Sequence, residues 1–366
     1  MNFNTFFLRS FRILLFPFAI LYGLVLWVRN YLYDRQWLKS THFNIPIINV
    51  GNLSVGGTGK SPMVDHLAGM LKQRYHVGTI SRGYKRRSKG YLLADASTTA
   101  VEIGDEPMQF HLRHPDIAVA VGEERIVAVP QLLYDKPETE VIILDDAFQH
   151  RAIQAGFNII LTDHNDLYTR DFYLPSGDLR DNPSSAARAD VIIVTKCPPG
   201  LTENDRDDII RELSPVPGQT VLFTSINYGR LYHIVSQAPS DLSRELEVLL
   251  VCGIANPTPL TTYLEQHTAS YDALFFSDHH IFSIDDLRDI FNRYEKMKGK
   301  RIMLTTEKDA VRLFKYRHEL RDLPFYVLPI SISFLFDGEK EFHRLISTFI
   351  VNFSSTPELP KPEHAK

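Results

Sequence analysis

From Ile45 onward the chain repeats one rhythm: a short aliphatic run, a polar break, then a stretch whose apolar positions return at helical spacing. Strands covered on both faces read as continuous apolar runs, and a helix shows one apolar stripe, so the rhythm predicts a mostly parallel sheet flanked by helices. Candidate strands are Ile45 to Val50, Val77 to Ile80, Ile117 to Val121, Val141 to Leu144, Asn158 to Leu161 and Val191 to Val194, with a helix near Glu203 to Leu213. Proline and glycine at Pro198, Pro199, Gly200, Pro215, Pro217 and Gly218 then interrupt the pattern. A second series begins at Glu247, where a strand leads into Asn256-Pro257, a cap followed by proline at a helix start. Further strands are expected near Leu274 to Phe276, Arg301 to Leu304 and Phe325 to Pro329, with helices near Ser283 to Lys298 and Asp309 to Lys315. The expected division is a leading segment at 1–40, a larger α/β domain at 41–228, a smaller α/β domain at 229–353 and a frayed, proline-rich tail at 354–366.

The leading segment breaks the average. Ile13 to Val28 carries no charge and is bracketed by Arg9, Arg12, Arg29 and Arg35, while Phe6, Phe7, Phe11 and Trp27 leave little polar face. Sixteen helical residues span about 24 Å, short of the roughly 30 Å hydrocarbon layer, and Pro17 and Gly23 weaken a straight span. A shallow or tilted membrane anchor is expected, in preference to a buried core helix. Arg29-Asn30-Tyr31-Leu32-Tyr33 offers bulky groups where signal cleavage needs small ones, so retention is expected over removal.

Composition narrows the function classes. The chain has 366 residues, 44% hydrophobic and 23% charged, as in ordinary globular proteins. Forty Lys and Arg against 44 Asp and Glu leave a net charge of -4, which argues against nucleic-acid binding. Cys197 and Cys252 are the two cysteines, without CxxC spacing, so neither a disulfide framework nor a thiolate zinc site is expected.

The strongest chemical signal lies between the first strand and the next helix: Ser54-Val55-Gly56-Gly57-Thr58-Gly59-Lys60-Ser61. Glycines let backbone N–H groups curl around phosphate oxygens, Lys60 reaches the β and γ phosphates, and Ser61 can ligate Mg²⁺. A P-loop NTPase-like domain binding ATP and Mg²⁺ follows, with Ser54 standing where the GxxxxGK[ST] pattern has glycine. A chance glycine-rich turn is the alternative. Asp145 and Asp146 end a buried-strand run where a metal partner of the loop belongs, although Asp also ends strands simply by forming turns. Gly104-Asp105-Glu106-Pro107 reads two ways: Asp105 as a base for an acceptor hydroxyl, or as the cap of a following helix. Adjacent His279 and His280 lack a spaced third ligand and predict no zinc site there.

Taken in order, the apolar leader, VGNLSVGGTGKSP, SRGY, GDEP, ILDDAFQHR, LPSGDLRD, GIANP, SDHHIFS and TTEKDAVR resemble the tetraacyldisaccharide 4'-kinase family through nearly the whole chain. The resemblance implies an α/β P-loop kinase that transfers the ATP γ-phosphate to the 4'-hydroxyl of a lipid-linked glucosamine disaccharide 1-phosphate in lipid A synthesis. It implies that Lys60 and Ser61 serve the nucleotide, that Asp105 is the base with His279 as its partner, and that Gln149, His150 and Arg180 lie in the site. It also implies Asp145, Asp146 and Asp181 as metal-associated carboxylates beside Ser61. Ala147 stands where the family's DDGFQHR has glycine, and Asp181 where its LRE has glutamate, one methylene shorter. A lipid acceptor gives the apolar leader a purpose, on the cytoplasmic face of a bacterial inner membrane where ATP is at hand. No protein partner is expected. The rival class is a partner-regulated ATPase with the same GGxGK core, but such switches place a signature lysine where Val55 stands.

Overall fold

The computed structural model describes residues 12–354, which form two compact units. The expected anchor residues Phe6, Phe7, Arg9 and Phe11, and the tail beyond residue 354, lie outside the described residues.

The first unit takes in residues up to 82, 116–225 and 333 onward. Its sheet is built from β1 (Ile47–Asn52), β2 (Val77–Ser81), β3 (Ala118–Val121), β4 (Val141–Asp145), β5 (Phe157–Asp163), β6 (Val191–Thr195) and β7 (Thr220–Tyr228), paired in parallel in the order β7-β6-β5-β1-β4-β2-β3. Every residue of β1, β2, β4 and β6 is buried, which is why β4 and β6 read as apolar runs up to their last residue, while β1 and β2 admit only glycine and short polar residues among their aliphatic ones. β1 lies inside the sheet between β4 and β5, and its register sets Val50 against Asp145. The loop that follows β1 and the acidic end of β4 are thereby adjacent, at the carboxyl ends of strands where ligands gather in open α/β sheets.

The second unit takes in 83–115 and 226–332. Its sheet holds β8 (Leu231–His233), β9 (Glu247–Cys252), β10 (Ser270–Phe275), β11 (Arg301–Thr306) and β12 (Phe325–Leu328) in the order β8-β12-β11-β9-β10, parallel except for β8. Successive side chains point to opposite faces: Leu249 and Val251 pack with Leu287 and Ile290, while Val248 and Leu250 pack with Leu260 and Leu264. β10 begins at Ser270, four residues before the expected Leu274, because an edge strand, exposed at its ends and half-buried between them, admits Ser270 and Asp272. Ser283 caps the Ile284–Lys296 helix by accepting from the Asp286 N–H at 3.1 Å.

The units are discontinuous, unlike the expected division at residue 228. Residues 83–115 belong to the second unit, and the Gly338–Ser354 helix belongs to the first. That helix carries Phe342, Ile346 and Ile350 on one stripe, all buried. Phe342 and Phe349 lie against His66 and Phe157, with ring centroids 6.1 and 5.4 Å apart.

The apolar leader forms the Phe16–Asp34 helix. Pro17 falls in its first turn, where a missing N–H costs nothing, so the expected weakening there does not arise. Ala19, Gly23, Leu26 and Asn30 are buried, whereas Phe18, Ile20, Leu21, Leu24, Val25 and Trp27 are all more than half exposed. The approach is close at Gly23, where an added Cβ would stand 2.7 Å from the Tyr173 ring. Among the described residues no helix is long and apolar enough to cross a membrane. Two of the flanking arginines are tied to the protein: Arg12 donates to the Pro175 and Gly177 carbonyls, and Arg29 to the Gln149 carbonyl at 2.8 Å.

Candidate active site

In the first unit β1 runs out at Asn52 and the chain turns through Ser54 to Gly59 into the Lys60–Leu71 helix. Gly56 and Gly59 have φ of 111° and 86°, a left-handed region that disfavours any side chain. A Cβ on Gly56 or Gly57 would meet nothing within 4 Å, so this stretch of backbone stands open to a ligand. The rest of the loop is tied down. Val55 N–H donates to the Asp178 carbonyl at 2.7 Å, Ser54 bridges to Leu179, and the Thr195 hydroxyl donates to the Thr58 carbonyl at 2.9 Å. Ser54 is buried, and the bridge to Leu179 accounts for a chain that needs no glycine there.

Lys60 Nζ donates to Asn52 Oδ1 at 3.1 Å and stands 3.9 Å from Asp146. Arg180 converges on the same groups, donating from Nη1 to Asp146 Oδ2 at 3.1 Å and from Nη2 to both Asp146 Oδ1 and Asn52 Oδ1. Gln149 Nε2 donates to the Asn52 carbonyl at 2.9 Å. Burial works to raise the Asp146 carboxyl pKa, but the bond from Arg180 and the charges of Lys60 and Arg180 outweigh it, leaving a carboxylate below its ordinary range. Asp146 takes the left-handed conformation at φ 55°, while Ala147 beside it does not, so alanine fits where the family pattern has glycine. Burial and the neighbouring Arg125, Arg82 and Arg29 push His150 down to about 4.

Ser61 in the first helical turn and Asp145 at the end of β4 supply hard oxygen donors on the two sides of this loop, a donor set that suits Mg²⁺. Asp181 does not join them. Its side chain is 1% exposed, Oδ1 accepts from Asn30 at 2.9 Å and Ser185 at 3.0 Å, and Oδ2 pairs with Arg188 at 3.0 Å. The expected metal-associated role gives way to a structural one: a buried carboxylate holds the Phe16–Asp34 helix to the segment that carries Arg180.

In the second unit Asp105 opens the Asp105–Arg113 helix, and Gly104 with φ 94° occupies the cap position. The Asp105 side chain faces away from capping. His279 Nδ1 and Arg312 Nη2 each lie 2.7 Å from Asp105 Oδ2, with Arg312 almost wholly buried. Burial tends to raise the Asp105 pKa, and the hydrogen bonds from His279 and Arg312 more than reverse it, so the carboxylate is held ionised. Arg312 is set by Asp309, which pairs with it at 3.1 Å and accepts from the Gly253 N–H at 3.0 Å. Tyr84 packs edge-on against His279, their rings 5.4 Å apart.

Lys60, Asp146, Gln149 and Arg180 thus meet within the first unit, and Asp105 and His279 within the second. Asn52 and Arg312 are the site residues that the sequence did not single out. Asn52 lies hidden in the loop motif as an ordinary strand end, and Arg312 looks like the outer half of an i, i+3 pair with Asp309. Cys197 and Cys252 are buried and free, and burial pushes both thiols up to about 12. Neither is reactive.

Comparison with known proteins identifies the family. A family profile described as Tetraacyldisaccharide-1-P 4'-kinase matches residues 11–350. A Tetraacyldisaccharide 4'-kinase of Bacteroides thetaiotaomicron is 40% identical over 96% of both chains. One from Flavobacterium johnsoniae is 45% identical over 88% of this chain and 93% of its own. A crystal structure of LpxK from Aquifex aeolicus in complex with ATP superposes with a TM-score of 0.72 at 28% identity, covering 93% of this chain and 99% of that one.

Proposed function

The chain belongs to the tetraacyldisaccharide-1-phosphate 4'-kinase family, and on that premise we propose that it transfers the γ-phosphate of ATP to the 4'-hydroxyl of tetraacyldisaccharide 1-phosphate, forming lipid IV-A in lipid A synthesis. One observation carries the catalytic reading: the Asp105 carboxylate, drawn out of the capping role and kept ionised between His279 and Arg312. An ionised carboxylate accepts the proton of an attacking hydroxyl, and His279 orients it. Lys60 and the loop from Val55 through Gly56, Gly57 and Thr58 to Gly59, open at Gly56 and Gly57, hold the β and γ phosphates. Arg180 keeps Asp146 and Asn52 in register with Lys60, and Gln149 braces the same strand end. Magnesium, when bound, neutralises charge on the transferred phosphoryl group, and Ser61 and Asp145, with Asp146 beside them, are the residues that would hold it.

The broad apolar face of the Phe16–Asp34 helix supports an enzyme that lies in a membrane interface without spanning it. Each acyl CH₂ withdrawn from a bilayer costs about 0.8 kcal/mol, so a four-chain acceptor is best met where it resides. ATP as donor assigns that interface to the cytoplasmic side of the inner membrane. The direct test incubates the purified protein with Mg²⁺, ATP and the tetraacylated disaccharide 1-phosphate and follows the lipid by mass spectrometry. A product one phosphate heavier is expected; ATP turnover that is indifferent to the acceptor would instead favour the regulated-ATPase reading. Replacing Leu21, Leu24 and Val28 together by serine should release the protein from anionic vesicles while leaving its thermal unfolding intact, and persistent attachment would assign membrane binding to another surface.

A further inference from the structure

His66 lies within the Lys60–Leu71 helix, whose first residues serve the nucleotide loop. Its ring packs against Phe334, Phe342 and His343, with centroids 5.6, 6.1 and 6.2 Å away. Its Nε2 is closed off from solvent and has no hydrogen-bond partner among the described residues. A buried nitrogen left unsatisfied is destabilising in a way that leucine or phenylalanine at the same position would not be. Glu339 and His343 stand four residues apart on the Gly338–Ser354 helix and so share one face of it. One ligand atom from each of His66, Glu339 and His343 falls within 4.8 Å of the others.

We propose that His66, Glu339 and His343 form a transition-metal site, suited to zinc, that clamps the C-terminal helix onto the helix behind the nucleotide loop. Two imidazoles and one carboxylate suit Zn²⁺ or Co²⁺, whereas Mg²⁺ and Ca²⁺ demand oxygen donors throughout. Ligand atoms about 2.0 to 2.2 Å from a tetrahedral zinc stand roughly 3.4 Å from one another. Glu339 and His343 are exposed, and small rotations of these two side chains close the remaining distance onto the fixed ring of His66. Water takes the fourth position on the exposed side. The His66 nitrogen then has a partner, and the first unit gains a link between its earliest helix after β1 and its last.

The test uses tag-free full-length protein, stripped with chelator and kept free of nucleotide and magnesium. Cobalt titration should give visible absorption bands of a low-coordinate ion that saturate at one equivalent and are displaced by zinc, and zinc should raise Tm. His343→Ala and Glu339→Gln, both on exposed positions, should each weaken zinc binding by about tenfold or more and remove the rise in Tm. Asp146→Asn, at the nucleotide loop, should leave the zinc titration unchanged. The proposal is overturned if the stripped wild type binds no cobalt or zinc, if both helix variants titrate like the wild type, or if Asp146→Asn is the variant that abolishes binding.

Discussion

A carboxylate poised to act as a base is distinguished from one that caps a helix by what holds it. Asp105 has the sequence context of a cap, yet Gly104 takes the cap position and both Arg312 and His279 reach the Asp105 oxygen. Asp105→Asn keeps the shape and removes proton acceptance, so kcat is expected to fall by about 10²- to 10⁴-fold while the affinity for ATP stays within twofold. Equal loss of ATP affinity, measured by calorimetry, would move Asp105 out of the acceptor role. Arg312 is a positioning residue, and its signature is a pH profile. With Arg312→Gln, burial is less opposed and the Asp105 pKa rises; the acid limb of kcat/KM should therefore shift to higher pH, and an unmoved limb would deny the contact its influence. The GDEP motif alone left Asp105 open between base and cap, and Arg312 was not legible at all, because a buried Asp309–Arg312 pair and a solvated one are written identically in sequence. Asp181 failed in the opposite direction. Its motif announced chemistry, while its oxygens are taken up by Asn30, Ser185 and Arg188.

At the scale of elements, strands were the most legible because β4 and β6 are buried on both faces and admit little but aliphatic residues. The leader was legible as an apolar helix, but not which of its faces would be covered. The covered side is picked out by small or polar residues, Ala19, Gly23 and Asn30, which a hydrophobicity reading passes over. Two substitutions separate the two faces. Gly23→Val collides with the Tyr173 ring and should lower stability by about 1 to 3 kcal/mol, read as a drop in Tm. Leu24→Ser, on the 55% exposed side, should leave Tm nearly unchanged and weaken vesicle binding. If the two variants behaved alike, the helix would not be packed by its small-residue face.

At the scale of the molecule, the discontinuity of the units was beyond the sequence. Phe342, Ile346 and Ile350 announce an amphipathic helix, but nothing local tells an apolar stripe which partner will cover it, and the partner proves to be the unit the chain had left at residue 225. Two histidines of the first unit make stability sensitive to acid. His150, enclosed by burial and by Arg125, Arg82 and Arg29, has a folded pKa of about 4 against an ordinary 6.5, and burial lowers His66 as well. As pH falls below 6.5 the unfolded chain takes up these protons first, so stability is full above that value and is lost progressively until the folded His150 titrates near 4. Asp105 and Asp146 add a second loss, which sets in as pH falls through the ordinary carboxylate value and continues down through their depressed folded values. The two windows can therefore be separated. His150→Gln, measured in chelator, should lose less Tm than the wild type between pH 7 and pH 5, retaining the part of the slope that belongs to His66, and should match the wild-type loss below about pH 4. A variant as acid-sensitive as the wild type across the upper window would mean that His150 protonates in the folded state near its ordinary value, and that the arginines around it do not set its charge.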